Sequence, residues 1–135
     1  MNEPFVMKLD KIQPSQLYVS SKKLAEVMKA FAPIELETLG PIPVKKLAGE
    51  VIFTDGHTRA FAAFLRNLQE IRVVWEDEEL DWEAYEICVE WCKKEGIFTI
   101  ADLKNRVISQ EEYDVLWLRR CEKMQRDLEN RRKRK

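Results

Sequence analysis

The sequence predicts an α+β protein: a small mixed sheet with packed helices, followed by a helical C-terminal extension. Two observations support this prediction. Up to residue 76, short apolar runs bounded by turn residues alternate with helical apolar patterns, in the order β-α-β-β-α-β. Beyond residue 78 the apolar spacing is helical. We therefore divide the chain into an α/β domain at residues 1–78 and a helical extension packed on it at residues 79–135.

The composition is that of a globular protein. Of 135 residues, 45% are apolar and 35% are charged, which is enough for one core and unlike a disordered chain. The sequence has no basic start followed by an apolar segment and no apolar run of about 18 residues. We therefore expect a cytoplasmic protein without a membrane partner. Three cysteines without disulfide-scaffold spacing agree with a reducing compartment.

The first half contains the predicted strands and two helices. Residues 5–9 form a first strand, and Ser20 or Ser21 caps a helix that continues to about Phe31. Residues 42–47 and 51–54 form a hairpin, and residues 71–75 form another strand.

The second half reads as helical. A helix over residues 80–95 ends at Gly96, and Thr99 opens a short helix over residues 100–106. Ser109 and Glu112 form a capping box that starts a final helix. Its apolar face is supplied by Tyr113, Leu116, Trp117 and Cys121. Beyond about residue 129 the apolar residues stop, so we expect a frayed basic tail.

The functional candidate is the stretch at residues 51–60, where a strand leads through a tight turn into a helix. The helix is supported by apolar residues at i, i+3, i+4 and i+7, namely Phe61, Phe64, Leu65 and Leu68. A helix start carries unpaired N–H groups and the positive end of the dipole, so it is a natural anion seat. Gly56 lets the backbone approach a bound group closely. The alternative is an ordinary Asp-Gly turn with solvated side chains.

The residues of this turn, Asp55-Gly56-His57-Thr58-Arg59, resemble the signature of the ParB/sulfiredoxin superfamily. There a strand ends in a Gly-x-x-Arg turn that opens a helix: Gly-Glu-Arg-Arg in ParB proteins, Gly-Cys-His-Arg in sulfiredoxins and Asp-Gly-His-His-Arg in archaeal free serine kinases. This chain is most similar to the kinase version. The resemblance covers roughly residues 5–76 and implies a ParB/sulfiredoxin-like fold that binds a nucleotide.

We therefore expect a phosphate ligand, such as ADP, ATP or CTP, at Gly56, His57, Thr58 and Arg59. Arg59 offers a planar two-pronged charge that matches phosphate, and Thr58 offers a hydroxyl. His57 binds an oxygen or moves a proton as a catalytic residue, or it is structural. Asp55 holds Mg²⁺ or acts as a catalytic base; alternatively it caps the helix. A small phosphotransferase or nucleotide hydrolase would use these groups.

The match to the serine kinases has one gap. Their catalytic glutamate lies close to the position of Ser15 or Gln16, both of which are uncharged. Four acids are candidate substitutes, and the sequence selects none of them: Asp10, Glu26, Glu35 and Glu37. Sulfiredoxin chemistry is not expected, because the reactive thiol of that family falls where this chain has His57, and an imidazole cannot replace a thiolate.

The alternative hypothesis is a ParB-like DNA-associated or protein-interaction module without catalysis. Residues 100–120 could form a helix-turn-helix, and nucleic acid could be contacted by the basic tail, which comprises Arg131, Arg132, Lys133, Arg134 and Lys135. The acidic helix over residues 81–95 argues against DNA. Cys88 and Cys92 share a helix face, but they lack a second pair of ligands for zinc. The sequence leaves the oligomeric state open.

Overall fold

The computed structural model describes residues 3–134 and has the predicted α+β fold. Its strands are β1 (Phe5–Lys8), β2 (Val19–Ser20), β3 (Ile42–Leu47), β4 (Glu50–Phe53), β5 (Glu70–Trp75) and β6 (Val107–Ile108). Four of them form a mixed sheet in the order β1-β5-β3-β4. β1 is antiparallel to β5, β5 is parallel to β3, and β3 is antiparallel to β4.

The central strands β3 and β5 show why these residues form a sheet. Ile42 and Val44 are buried on β3, and Ile71 and Val73 are buried on β5, whereas their neighbours are more exposed. This period of two places one face of the sheet on the core. The predicted hairpin is confirmed, with Val44 opposite Phe53 across β3 and β4.

The helices are α1 (Ser21–Ala30), α2 (His57–Leu65), α3 (Trp82–Lys94) and a C-terminal helix at residues 110–133. The last comprises an α-helical turn (Gln110–Tyr113), a π-helical turn (Asp114–Leu118) and a longer α-helix (Arg119–Lys133). Two predicted N-caps are confirmed: the Ser20 hydroxyl accepts from Lys23 N–H, and the Ser109 hydroxyl accepts from Glu112 N–H. Gly96 follows α3 with φ +77°, as a C-terminal glycine should.

The C-terminal extension shares both backbone pairing and core with the first half. β2 pairs in parallel with β6, with Val19 opposite Val107. One hydrophobic cluster runs from Leu9 to Leu128 and includes buried residues of α3 and the C-terminal helix. The extension is therefore packed directly against the α/β part.

Three predicted details are wrong. α2 ends at Leu65, so Leu68 of the predicted apolar face lies beyond the helix, and Leu65 itself is 44% exposed. Phe61 is buried as predicted, together with Ala60, Ala62 and Ala63. Residues 100–106 give only a 3₁₀ turn (Ile100–Leu103) followed by β6, so no helix-turn-helix forms there. Leu116 is 43% exposed, whereas Tyr113 and Trp117 are buried.

The expected frayed tail is also wrong over its described part. The C-terminal helix continues to Lys133, because its last turn is held by acids of the α3 N-terminus. Arg132 donates to Asp81 and Glu83, each at 3.0 Å, and Arg131 pairs with Glu83. Lys135 lies outside the described residues. Within residues 3–134, none of the helices combines the length and apolar composition that a bilayer crossing needs.

Candidate functional site

The predicted strand-turn-helix forms between β4 and α2, and Gly56 makes the turn possible. Its φ is +76°, in the left-handed region that favours glycine. A Cβ at this position would lie 2.8 Å from Ile42 Cγ2 and 3.1 Å from Arg59 Nη2. Both the backbone angle and the close approach of two side chains therefore require glycine.

The start of α2 leaves backbone donors unpaired. No acceptor among residues 3–134 takes the N–H groups of His57, Thr58 or Arg59, and the first intrahelical bond is from Ala60 N–H to the Gly56 carbonyl. The prediction that Asp55 caps this helix is wrong. Its Oδ1 accepts from the adjacent Gly56 N–H at 2.8 Å, which leaves the first-turn donors free.

Arg59 lies against the turn and is held there by backbone carbonyls. Its Nη1 donates to the carbonyls of Leu39 at 3.0 Å and Pro41 at 3.4 Å. Among the described residues no carboxylate forms an ion pair with it, and no acceptor takes its Nε or Nη2. Burial lowers the pKa of Arg59, opposed by the charge of Asp55, but a guanidinium remains protonated near neutral pH. The side chain is therefore a fixed cation with donors to spare.

His57 is buried, and its role in the fold is visible in one bond. Ser15 N–H donates to His57 Nε2 at 2.9 Å. Burial lowers the pKa of His57 to about 4, an effect that the charge of Asp55 opposes, so the ring is neutral at pH 7. Because Nε2 is the acceptor, the ring proton is on Nδ1. This arrangement favours a positioning role, because the ring would have to lose this bond before it could take up a proton at Nε2.

The segment that His57 holds, residues 13–15, runs beside β4 and was not predicted as part of the site. Gln13 N–H donates to the Val51 carbonyl at 2.8 Å, and Phe53 N–H donates to the Gln13 carbonyl at 3.0 Å. The Ser15 hydroxyl donates to the Phe53 carbonyl at 2.7 Å. Ser15 therefore fixes the end of β4 through its hydroxyl and its backbone N–H.

One cavity, here called the α1 cavity, opens on the unpaired amides. Its volume is about 370 Å³. The 55–59 turn forms one wall. The remaining lining comes from α1 and its C-cap, from the segment before β2 and from the C-terminal helix: Lys23, Glu26, Val27, Phe31, Gln16 and Tyr113. Lys23 Nζ lies 5.2 Å from the centre of the Tyr113 ring, and within residues 3–134 it has no ion-pair partner. Of the four candidate acids that the sequence left open, Glu26 is the one that lines this cavity.

A second cavity, here called the α3 cavity, lies on the other side of the turn. Its volume is about 310 Å³, and it shares Gln16, Asp55 and His57 with the α1 cavity. Tyr85 of α3 donates its hydroxyl to the Thr54 carbonyl at 2.8 Å, which connects the helical extension to the turn. A larger groove of about 450 Å³, between α3 and the C-terminal helix, does not include the turn.

Metal ligands do not cluster in the described part of the chain. Within residues 3–134, no three His, Cys, Asp or Glu side chains converge as a metal site would require. Cys88 and Cys92 are buried free thiols, and burial raises the pKa of Cys92 to about 12. The Asp55 carboxylate fits a different arrangement: Mg²⁺ is often held by one carboxylate together with phosphate oxygens and water.

Comparisons with known proteins give no family. No protein-family model and no curated protein matches this chain. A similar solved structure is the crystal structure of protein Atu1540 from Agrobacterium tumefaciens, at 14% sequence identity and a TM-score of 0.46. The match covers 73% of this chain and 51% of that protein, so the chain spans about half of its length. A similarity this distant carries no functional argument.

Proposed function

We propose that this protein binds a nucleotide, or another phosphate-bearing ligand, in the α1 cavity, with a phosphate group on the first turn of α2. One observation supports the proposal: residues 57–59, whose N–H groups have no acceptor among the described residues, line the same cavity as two cations, Lys23 and Arg59, that form no ion pair within residues 3–134. An anion there would satisfy the helix donors and meet the positive end of the dipole.

Arg59 suits phosphate better than a solvated arginine would. Its position is already fixed by the carbonyls of Leu39 and Pro41, so little side-chain entropy is lost when a ligand binds. Its Nε and Nη2 remain available for a planar pair of charge-assisted hydrogen bonds. Thr58 adds a hydroxyl in the same cavity.

The rest of the cavity favours a ligand that is more than an inorganic ion. Val27, Phe31 and Tyr113 give it an apolar and aromatic wall against which a nucleoside could pack. Asp55 would share a Mg²⁺ ion with the phosphate oxygens. If the ligand is also turned over, Asp55 and Glu26 are the carboxylates in this cavity that could accept a proton from an attacking hydroxyl or water.

The DNA-associated alternative has less support. Arg131 and Arg132 are paired with acids of α3, and residues 100–108 do not form the first helix of a helix-turn-helix. A gel shift across a salt series tests this alternative, and a nucleotide titration tests the main proposal.

The test is isothermal titration calorimetry with ADP, ATP and CTP, each with and without Mg²⁺. We expect at least one nucleotide to bind. Arg59→Ala should weaken it at least about tenfold, because a hydrogen bond to a charged group contributes about 1.5–3 kcal/mol. Lys23→Ala should also weaken it. Arg66→Ala is the matched control, since Arg66 is exposed at the other end of α2.

Circular dichroism will establish that each variant is folded. The proposal is wrong if the wild-type protein binds none of the three nucleotides, or if folded Arg59→Ala and Lys23→Ala both bind as tightly as wild type.

A further inference from the structure

We infer that the α3 cavity binds a second small molecule, a primary amine without a carboxylate, next to the phosphate ligand. The inference rests on the proposed function only for that neighbour; the cavity and its lining are independent of it. The volume of about 310 Å³ would hold roughly ten water molecules, or a compound with about as many non-hydrogen atoms.

The charged residues around the cavity favour a ligand with a positive charge. Among residues 3–134, no lysine or arginine lines it, whereas Asp55 and Asp81 do. Asp81 is already used: it caps α3 at Ala84 N–H and accepts two hydrogen bonds from Arg132, each at 3.0 Å. Asp55 accepts one hydrogen bond within the described residues, from its neighbour Gly56, and it forms no ion pair there, although its charge acts on Arg59. In the absence of Mg²⁺, an ammonium group would satisfy the Asp55 carboxylate, whereas a ligand carboxylate would meet no cation among the described lining residues.

The uncharged residues that line the cavity favour a ligand that has a hydrogen-bond donor and an apolar carbon skeleton. Tyr85 uses its proton on the Thr54 carbonyl, so its oxygen is free to accept. Tyr85 and Trp117 both face the cavity, and aromatic faces attract ammonium groups. Met124 and Ala84 add apolar surface.

The C-terminal helix connects the two cavities. Tyr113 lines the α1 cavity and Trp117 lines the α3 cavity, and the π-helical turn (Asp114–Leu118) begins directly after Tyr113. Such turns occur frequently at functional sites. Because Gln16, Asp55 and His57 line both cavities, the two ligands would meet at Asp55.

The experiment compares matched compounds by NMR, with the indole N–H of Trp117 as the reporter. The amines are ethanolamine and 2-phenylethylamine; serine and phenylalanine have the same skeletons with an added carboxylate. We expect a saturable shift with at least one amine and at least a tenfold weaker effect from its amino-acid match. Equal or tighter binding of the amino acids, or no shift with either amine, would overturn the inference.

Two blocking variants assign the shift to this cavity. Ala84→Leu fills it from α3, and Gln125→Phe, at an exposed position, narrows it from the C-terminal helix. Either folded variant should bind the amine at least tenfold more weakly than wild type and bind the nucleotide as wild type does. Arg59→Ala should weaken nucleotide binding and leave amine binding unchanged. If both folded variants bind the amine as wild type does, the amine lies elsewhere and the inference fails, whatever the nucleotide titration gives.

Discussion

Two regions of the molecule carry basic side chains, and they differ in the groups that these side chains contact. At the end of the C-terminal helix, Arg131 and Arg132 are exposed and paired with Asp81 and Glu83. Beside the 55–59 turn, Arg59 is held by backbone carbonyls and forms no ion pair within residues 3–134, although the charge of Asp55 acts on it. The first region has more cations in the sequence, and the second has more cationic charge available to a ligand.

Charge density along a chain is therefore a poor indicator of an anion site. An exposed ion pair contributes little to stability, but it does occupy its cation. A single arginine fixed next to unpaired amides is a better candidate, because its partners in the folded chain cannot cancel its charge.

The strongest way to break the contrast is to displace Arg59 through Gly56→Ala. The new methyl group would clash with Ile42 and Arg59, and the alanine backbone would have to adopt a φ of +76°. We therefore expect the free energy of unfolding to fall by roughly 3 to 4 kcal/mol and nucleotide binding to weaken. Gly49→Ala is the control. Its φ is +84° with nothing within 4 Å, and it should cost only roughly 1 kcal/mol. Urea denaturation measures both; equal losses would show that the 55–59 turn is not tightly packed.

The second prediction separates the two regions by pH. The folded protein keeps His57 neutral down to about pH 4, whereas the unfolded chain protonates it below about pH 6.5. Stability should therefore fall on the order of 3 kcal/mol as the pH drops from 6.5 to 4. In the variant His57→Gln, the free energy of unfolding should change less between pH 6.5 and pH 4, because the glutamine carbonyl can accept from Ser15 N–H but does not titrate.

The C-terminal pairs should respond only at lower pH. Hydrogen bonding to Arg132 lowers the pKa of Asp81 and of Glu83. Their contribution is present above the ordinary carboxyl pKa, disappears as the pH falls below about 4, and weakens with salt. Denaturation across pH 3–8 at two salt concentrations measures both windows. An unchanged pH 4–6.5 slope in His57→Gln would contradict the assignment.

The smallest expected effect is on the C-terminal region itself. The double variant Asp81→Asn with Glu83→Gln releases Arg131 and Arg132, so it should elute from heparin at a higher salt concentration than wild type, with little change in nucleotide binding. Glu79→Gln with Glu86→Gln removes two nearby acids that form no ion pair within residues 3–134, so it releases no basic side chain and serves as the control. If the two double variants elute together, the pairing does not mask the basic residues.

Much of the local structure was predictable. The caps at Ser20 and Ser109, the glycine after α3, the β3–β4 hairpin and the strand-turn-helix at residues 51–60 are all encoded within a few neighbouring residues. These signals act through backbone angles and short-range hydrogen bonds, which do not depend on the rest of the chain. Predictions about α2 were less accurate, because which face is buried depends on what the helix packs against.

Tertiary structure alone decided which of these groups work together. Ser15 and His57 are 42 residues apart, and Asp81 and Arg132 are 51 apart, so no local pattern could pair them. The turn and its unpaired donors follow from a few neighbouring residues. Folding brought Lys23 and Tyr113 beside that turn and cancelled the charges of the basic helix end, because long-range burial and charge pairing are properties of the assembled core.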